Sequence, residues 1–207
     1  MDWTLTKIRA KVRKLTGRPD EGAITNVDLD DYINHYYQNV FPLEALPSEL
    51  KKWFTQDTSS ILDSWAVDEK NLAFREPFTI AGYPINYYLN AKDFYEKFPE
   101  TQSYTKGQPT DVLFFNRSLL FRPPPDAIYQ FKAETILRPD ALTLEGDKPL
   151  NQLWGPVIVY GSTIEIKQDN GELEDHDSLV SIYNYYLLLA QRQDIVSRGT
   201  QRSIPRF

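Results

Sequence analysis

Apolar residues fall in two rhythms along this chain, and the change between them divides it. Near the start, Leu5, Ile8, Val12 and Leu15 follow a 3-4-3 spacing, which places them on one stripe of an amphipathic helix. Gly17 and Pro19 end that helix. Thr25 or Asn26 can cap a second one, with Asp28 in its first turn. Leu29, Ile33, Tyr36 and Tyr37 form its apolar face, Tyr32 lies beside them, and Pro42 is expected to stop it. From about Lys51 to Ala141 the rhythm shortens. Trp53–Thr55, Ile61–Val67, Phe74–Ile80, Asn86–Leu89, Val112–Phe115, Leu119–Phe121 and Ile128–Leu137 read as strands, the last by strict alternation. Gly82-Tyr83-Pro84 and Asn116-Arg117-Ser118 are turn signals, and Pro123-Pro124-Pro125-Asp126 forces an extended connection. Ala91–Phe98 reads as one short helix between Asn90 and Pro99.

After Pro149 the helical spacing returns. Pro156 suits a first turn, with Val157, Tyr160, Gly161 and Ile164 on one face, although Val157–Tyr160 taken alone also passes as a strand. Asp169-Asn170-Gly171 breaks the chain, and Asp175 or Asp177 caps a last helix. That helix carries Leu179, Ile182, Tyr183, Tyr186 and Ala190 on one face, with Leu187 and Leu189 beside it. The pattern predicts an α+β fold: a helical bundle formed by N- and C-terminal helical hairpins, with an inserted antiparallel β-sandwich or barrel-like domain. The predicted boundaries are 1–50 and 142–194 for the discontinuous bundle, 51–141 for the β domain and 195–207 for a C-terminal tail.

Charge sharpens this division. The net charge is -6, yet residues 1–18 carry six Lys or Arg against Asp2, and residues 195–207 carry three Arg and no acid. The stretch between them therefore holds 14 basic and 28 acidic residues, a formal net of -14. Basic ends on an acidic body suggest contacts between chains, while the first helix reads equally well as having a solvated basic face. The tail is too short to fold on itself, so it is either disordered surplus or a segment that orders on another molecule. There is no cysteine, which excludes disulfides and thiolate metal sites and fits assembly in a reducing cytoplasm. No run is apolar enough for a signal peptide or a membrane anchor.

The chemistry-bearing residues do not assemble into a catalytic signature. Asp31 and His35 lie at i, i+4 but make only two ligands, better read as a surface ion pair. His176 sits in an acidic stretch that reads as a solvated helix start. Phosphate-loop, dinucleotide and nucleophile-elbow motifs do not occur, so no catalytic residue, cofactor site or metal site is assigned. Trp53, Trp65, Tyr87 and Tyr88 could stack on sugars, which keeps a tail-associated glycan-acting enzyme or carbohydrate-binding module as the alternative; packing is the plainer role for them. A third reading is DNA binding by Lys7, Lys11 and Lys14, with Arg18 one turn on, which the acidic body opposes.

Three groups of residues together resemble the phage head-to-tail adaptor (connector) family, which includes the tail tubular protein A of short-tailed phages. They are Lys7 to Pro19 with Asp28 to Asn34; Trp53-Phe54-Thr55, Gly82-Tyr83 and Lys92-Asp93-Phe94-Tyr95; and Trp154 to Gly161 with the closing tyrosine-rich helix. The likeness covers most of the chain. The chain departs from the family at Val157, Ile158 and Val159, where small, alanine-rich residues are common. The resemblance implies a virion structural protein of the neck or tail, assembled in the host cytoplasm and not an enzyme. Its partners would be the portal of a DNA-filled capsid, neighbouring copies in a ring usually of twelve, and the next tail component, a nozzle or tail tube. DNA would pass the ring without sequence-specific binding. On that reading Ile195, Val196, Arg198, Arg202, Ile204, Arg206 and Phe207 dock on the portal, and Tyr32, Tyr36, Tyr37, Tyr183 and Tyr186 are candidates for subunit interfaces.

Overall fold

The computed structural model describes residues 2–172 and 174–199, with side chains followed as far as Arg192. It divides into two compact units, Met1–Leu50 with Arg138–Phe207, and Lys51–Leu137.

In the first unit, α1 spans Leu5–Thr16; the Thr4 side chain accepts the Lys7 N–H at its start, and Gly17 closes it in the left-handed region. Its stripe is realised, with Leu5, Ile8 and Val12 fully buried. Helix α2 spans Asn26–His35 and is capped by Thr25, which accepts the Asp28 N–H. The chain then stays helical past the expected stop. A single π turn covers Tyr36–Val40 and leads into α3, Phe41–Ala45, with Pro42 in its first turn. Inside a regular helix, Pro42 would lose a hydrogen bond and meet the carbonyl four residues earlier. The widened turn comes first, so Pro42 falls where a missing N–H is harmless.

The second half of this unit begins with a loop that the Asn34 side chain clips in place. Its Oδ1 accepts the Leu142 N–H at 2.8 Å and its Nδ2 donates to the Leu142 carbonyl at 3.0 Å. Helix α5, Gly155–Asp169, follows a short 3-10 turn and lies at the centre of the unit. Val157, Ile158, Val159 and Ile166 are fully buried together with Ser162 and Thr163. Those two hydroxyls donate to the Ile158 and Val159 carbonyls, both at 2.7 Å, so neither hydroxyl is stranded. The valine run that could have passed as a strand is thus a helix buried on nearly every side. Two glycines let aromatic rings reach α5: a Cβ on Gly155 would meet the Trp3 ring at 2.1 Å, and one on Gly161 the Tyr36 ring at 2.2 Å. Helix α6 spans His176–Gly199. Leu179, Tyr183, Tyr186, Leu187 and Ala190 face the core, whereas Ile182 and Leu189, expected on or beside that face, are exposed.

The second unit holds two four-stranded sheets. Its strands are β1 (Lys51–Asp57), β2 (Ser64–Ala66), β3 (Asn71–Ile80), β4 (Tyr83–Pro84), β5 (Asn86–Tyr88), β6 (Asp111–Phe115), β7 (Ser118–Arg122) and β8 (Gln130–Leu137). One sheet has the order β1-β8-β3-β4 and is antiparallel; the other has the order β2-β7-β6-β5. In the latter, β5 pairs with β6 in parallel. A parallel pair needs a long crossover, and helix α4 (Ala91–Lys97) with the segment up to Thr110 supplies it. The β6–β7 turn is tight: Asn116 and Arg117 both take positive φ, at 47° and 57°, and Phe115 pairs with Ser118. Phe74, Val112, Leu119, Phe121, Phe131 and Ala133, drawn from both sheets, share one core.

The predicted fold therefore needs correction. The chain is α+β, but a bundle of two helical hairpins carrying an antiparallel sandwich or barrel is not its architecture. The N-terminal helical segment runs on through a π turn into α3, and the strands form two separate sheets, one of them mixed because α4 turns the β5–β6 connection into a crossover.

Candidate functional site

A grouping of ionisable and aromatic side chains lies where α2, the π turn and α3 meet α5 and α6. It contains a relay of hydroxyls. Tyr36 Oη donates to Tyr183 Oη at 2.9 Å, and Tyr183 in turn donates to the Glu44 carboxylate. The rings of Tyr36 and Tyr183 meet edge to face, with centroids 6.3 Å apart. Burial, reinforced by Tyr183, drives the Tyr36 phenol far above the usual tyrosine value; burial and the Glu44 hydrogen bond raise Tyr183 as well. Both hydroxyls are therefore fixed as hydrogen-bond donors rather than acids.

Two clefts flank this relay. One, of about 410 Å³, is lined by Asp31, Tyr32, His35, Glu165, Gln168 and Asp169. The other, of about 300 Å³, runs between the π turn, α5 and α6 and includes Tyr36, Glu44, Glu165, Gln168, His176 and Tyr183. Glu165 and Gln168 belong to both, so Glu165 forms the wall between them. The Glu165 Oε2 is buried with no hydrogen-bond partner. Burial, with Asp169 and Glu44 adding like charge, pushes its carboxyl up to about 7. Tyr32 donates to Asp169 at 2.8 Å, and that bond raises the Tyr32 phenol. Asp31 and His35 both line the first cleft, but no ion pair joins them among the described residues. No group of three metal-ligating side chains comes together among the described residues.

Of the tyrosines predicted at subunit interfaces, Tyr36 and Tyr37 are buried, only 3% and 1% exposed. That corrects their assignment, since their contacts are spent inside the unit: Tyr36 on Tyr183, and Tyr37 on Trp154 and the Leu150 N–H. Tyr32, Tyr183 and Tyr186 pack partly against the same core, and Tyr186 stacks on Tyr160 at 5.5 Å. The apolar surface left free on α6 is made by Ile182, Tyr185, Leu188 and Leu189. Of the predicted tail residues, Ile195, Val196 and Arg198 fall on the backbone of α6 with side chains outside the described set, and Arg202, Ile204, Arg206 and Phe207 lie outside the described residues.

The basic residues of the first helical region sort by type. Arg9 grips Asp30 with two parallel bonds, Arg13 donates to the Asp20 carbonyl and Asn26, and Arg18 reaches Glu172 at 2.5 Å. Lys7 and Lys14 are exposed and Lys11 half-buried. Arg18 is thus drawn away from the candidate phosphate-binding stripe. The four aromatics considered for sugar stacking are also engaged. Lys132 sits 4.2 Å from the Trp53 ring centroid, Trp65 packs on Phe121, Tyr87 stacks on Phe78 at 4.0 Å, and Tyr88 donates to buried Asp111 at 3.1 Å.

The cleft has no sequence signature, because Glu44 lies on α3, far along the chain from Glu165 and Asp169 on α5, and the three match no motif. The only local signal is the i, i+4 spacing of Glu165 and Asp169 on one helix. No helix among the described residues is long and apolar enough to cross a membrane. No protein-family model matches the chain, and no curated protein matches it.

Proposed function

We propose that the chain is a virion structural protein of the head-to-tail adaptor type, placed in the neck or tail. Copies associate in a ring on a portal, meet the next tail component, and leave a channel that DNA crosses without sequence-specific binding. The observation that carries this reading is the outer face of α6. A long helix that already seals a core with Leu179, Tyr183 and Leu187 carries a second apolar surface, Ile182, Tyr185, Leu188 and Leu189, and runs toward a segment with three arginines and no acid. Exposed apolar side chains clustered on one helix face favour contact with another protein surface. A basic segment with Ile204 and Phe207 suits an acidic, pocketed receptor. The acidic body suits a DNA channel, because a negative wall keeps phosphates from sticking.

The test is mass measurement of the full chain with and without the portal protein of the same virion. The expected result is a multi-copy complex on the portal. A chain lacking residues 198–207 is expected to keep its circular dichroism spectrum and lose portal binding. Unchanged portal affinity in the truncated chain sinks the role of the tail, and no complex with the full chain sinks the adaptor reading. Tight retention of DNA by the assembled ring at physiological salt counts against the channel.

A further inference from the structure

We propose that Glu165 is a proton-operated latch for α6: the neutral carboxyl seats the helix against α5 and the π turn, and its ionisation loosens that seat. The argument begins with position. Glu165 projects from the central helix into the wall shared by both clefts, and its buried Oε2 has no donor. Every element packed around it presents a group that fails to compensate a negative charge. Helix α2 offers Asp31, Tyr32 and His35; the π turn offers Tyr36; α3 offers Glu44; α5 itself offers Gln168 and Asp169; and α6 offers His176 and Tyr183. The hydroxyls that could have donated are already committed, Tyr32 to Asp169, Tyr36 to Tyr183 and Tyr183 to Glu44. No lysine or arginine lines either cleft among the described residues.

An ionised Glu165 therefore has an unsatisfied buried oxygen and two like charges near it, which opening the α5–α6 contact to water relieves. A protonated one has no charge to desolvate. The direction of the effect follows from the folded carboxyl lying at about 7 against an ordinary 4.5. The folded state holds this proton more tightly, so the stabilisation is complete below the ordinary value and is lost as pH rises through the folded one. His176 meets Gln168 at 2.9 Å across the same seam and His35 lines the first cleft, so both histidines need control variants.

The experiment is amide hydrogen exchange on the full chain between about pH 5 and pH 8, read as protection factors, which remove the intrinsic pH dependence of exchange. Protection of α6 from Leu179 to Gln191 is expected to fall about tenfold across that range, less than the full shift allows because Glu165 is only half-buried, while α1 stays protected. Glu165→Gln is expected to flatten the α6 profile; His35→Asn and His176→Asn are expected to leave it in place. The proposal is overturned if Glu165→Gln keeps the profile, if a histidine variant removes it, or if α1 and α6 lose protection together. A second measurement guards against a variant that does not fold: the Glu165 carboxyl carbon resonance in the unaltered protein should titrate near 7, and a midpoint at the ordinary glutamate value overturns the latch. The inference needs no portal and stands apart from the adaptor reading.

Discussion

Gly161→Ala offers a sharp test because two effects oppose each other with different magnitudes. In a helix, replacing glycine by alanine ordinarily stabilises by about 1 kcal/mol through backbone entropy. At this position the new methyl would lie 2.2 Å from the Tyr36 Cζ and 2.3 and 2.5 Å from its two Cε atoms, so the ring would have to move by more than an ångström. The ring has little room to move. Tyr36 is 3% exposed, its hydroxyl is held by Tyr183, and the two rings meet edge to face. Overpacking of this kind costs about 1–3 kcal/mol, and loss of the hydrogen bond and ring contact adds about 1–2 kcal/mol. The net expectation is destabilisation by about 2–3 kcal/mol, the overpacking winning over the helix-propensity gain. Urea unfolding followed by far-ultraviolet circular dichroism measures it as a lowered midpoint with an unchanged slope. Combining Gly161→Ala with Tyr36→Ala should recover part of the loss, because the second change removes the ring that the methyl strikes. A neutral or stabilising Gly161→Ala, or strict additivity in the double variant, refutes the account of how the π turn packs on α5.

Other perturbations test other parts of the molecule. Lys97→Met should destabilise the β-sheet unit by about 2 kcal/mol, because Asp111 is 2% exposed and loses the cation at 2.7 Å, keeping only neutral donors; the partial exposure of Lys97 keeps the figure modest. The same variant should begin to unfold at higher pH on the acid side. Burial pushes the Asp111 carboxyl up, but hydrogen bonds from Lys97, Thr110, Asn86 and Tyr88 outweigh it and hold the group below its ordinary value, so its stabilisation is present above that value and lost as pH falls through the folded one. Arg9→Ala should lower stability by about 1–2 kcal/mol through its bidentate pair with Asp30, whereas Lys7→Ala should change it by less than about 0.5 kcal/mol, both by urea titration. Asn34→Ala should cost about 1–2 kcal/mol, since it leaves the N–H and carbonyl of Leu142 without their clip.

Local pattern carried several individual elements but not the architecture. The stripe Leu5, Ile8 and Val12 and the alternation in β8 were legible because burial on one face imposes a fixed period. Three features were not, each for a physical reason. The helix past Pro42 depends on a π turn, whose extra residue leaves no periodic trace in a five-residue span. The parallel β5–β6 pair depends on which strand edge is free in space, a tertiary fact. The outward turn of Ile182 and Leu189 was hidden because α6 is apolar around most of its circumference, so periodicity could not choose between faces. The candidate site was less legible still. Tyrosine enrichment pointed to contact surfaces, but only burial separates Tyr36 and Tyr37, which are spent inside the unit, from Tyr185, which is 59% exposed.

The split of the helical unit has a consequence for how the chain leaves the ribosome. The apolar faces of α1, α2 and α3 are covered chiefly by Trp154, Val157, Ile158, Val159 and Ile166, which are made only after all of Lys51–Leu137 has been synthesised. At about 5–20 residues per second, the first three helices wait on the order of ten seconds for the helix that covers them. The β-sheet unit, continuous in sequence, has its whole core available before that helix emerges. Order of synthesis thus favours completion of the later-starting unit first, and the stretch of exposed Leu5, Ile8, Leu29, Ile33 and Phe41 during that interval is where a chaperone would find this chain.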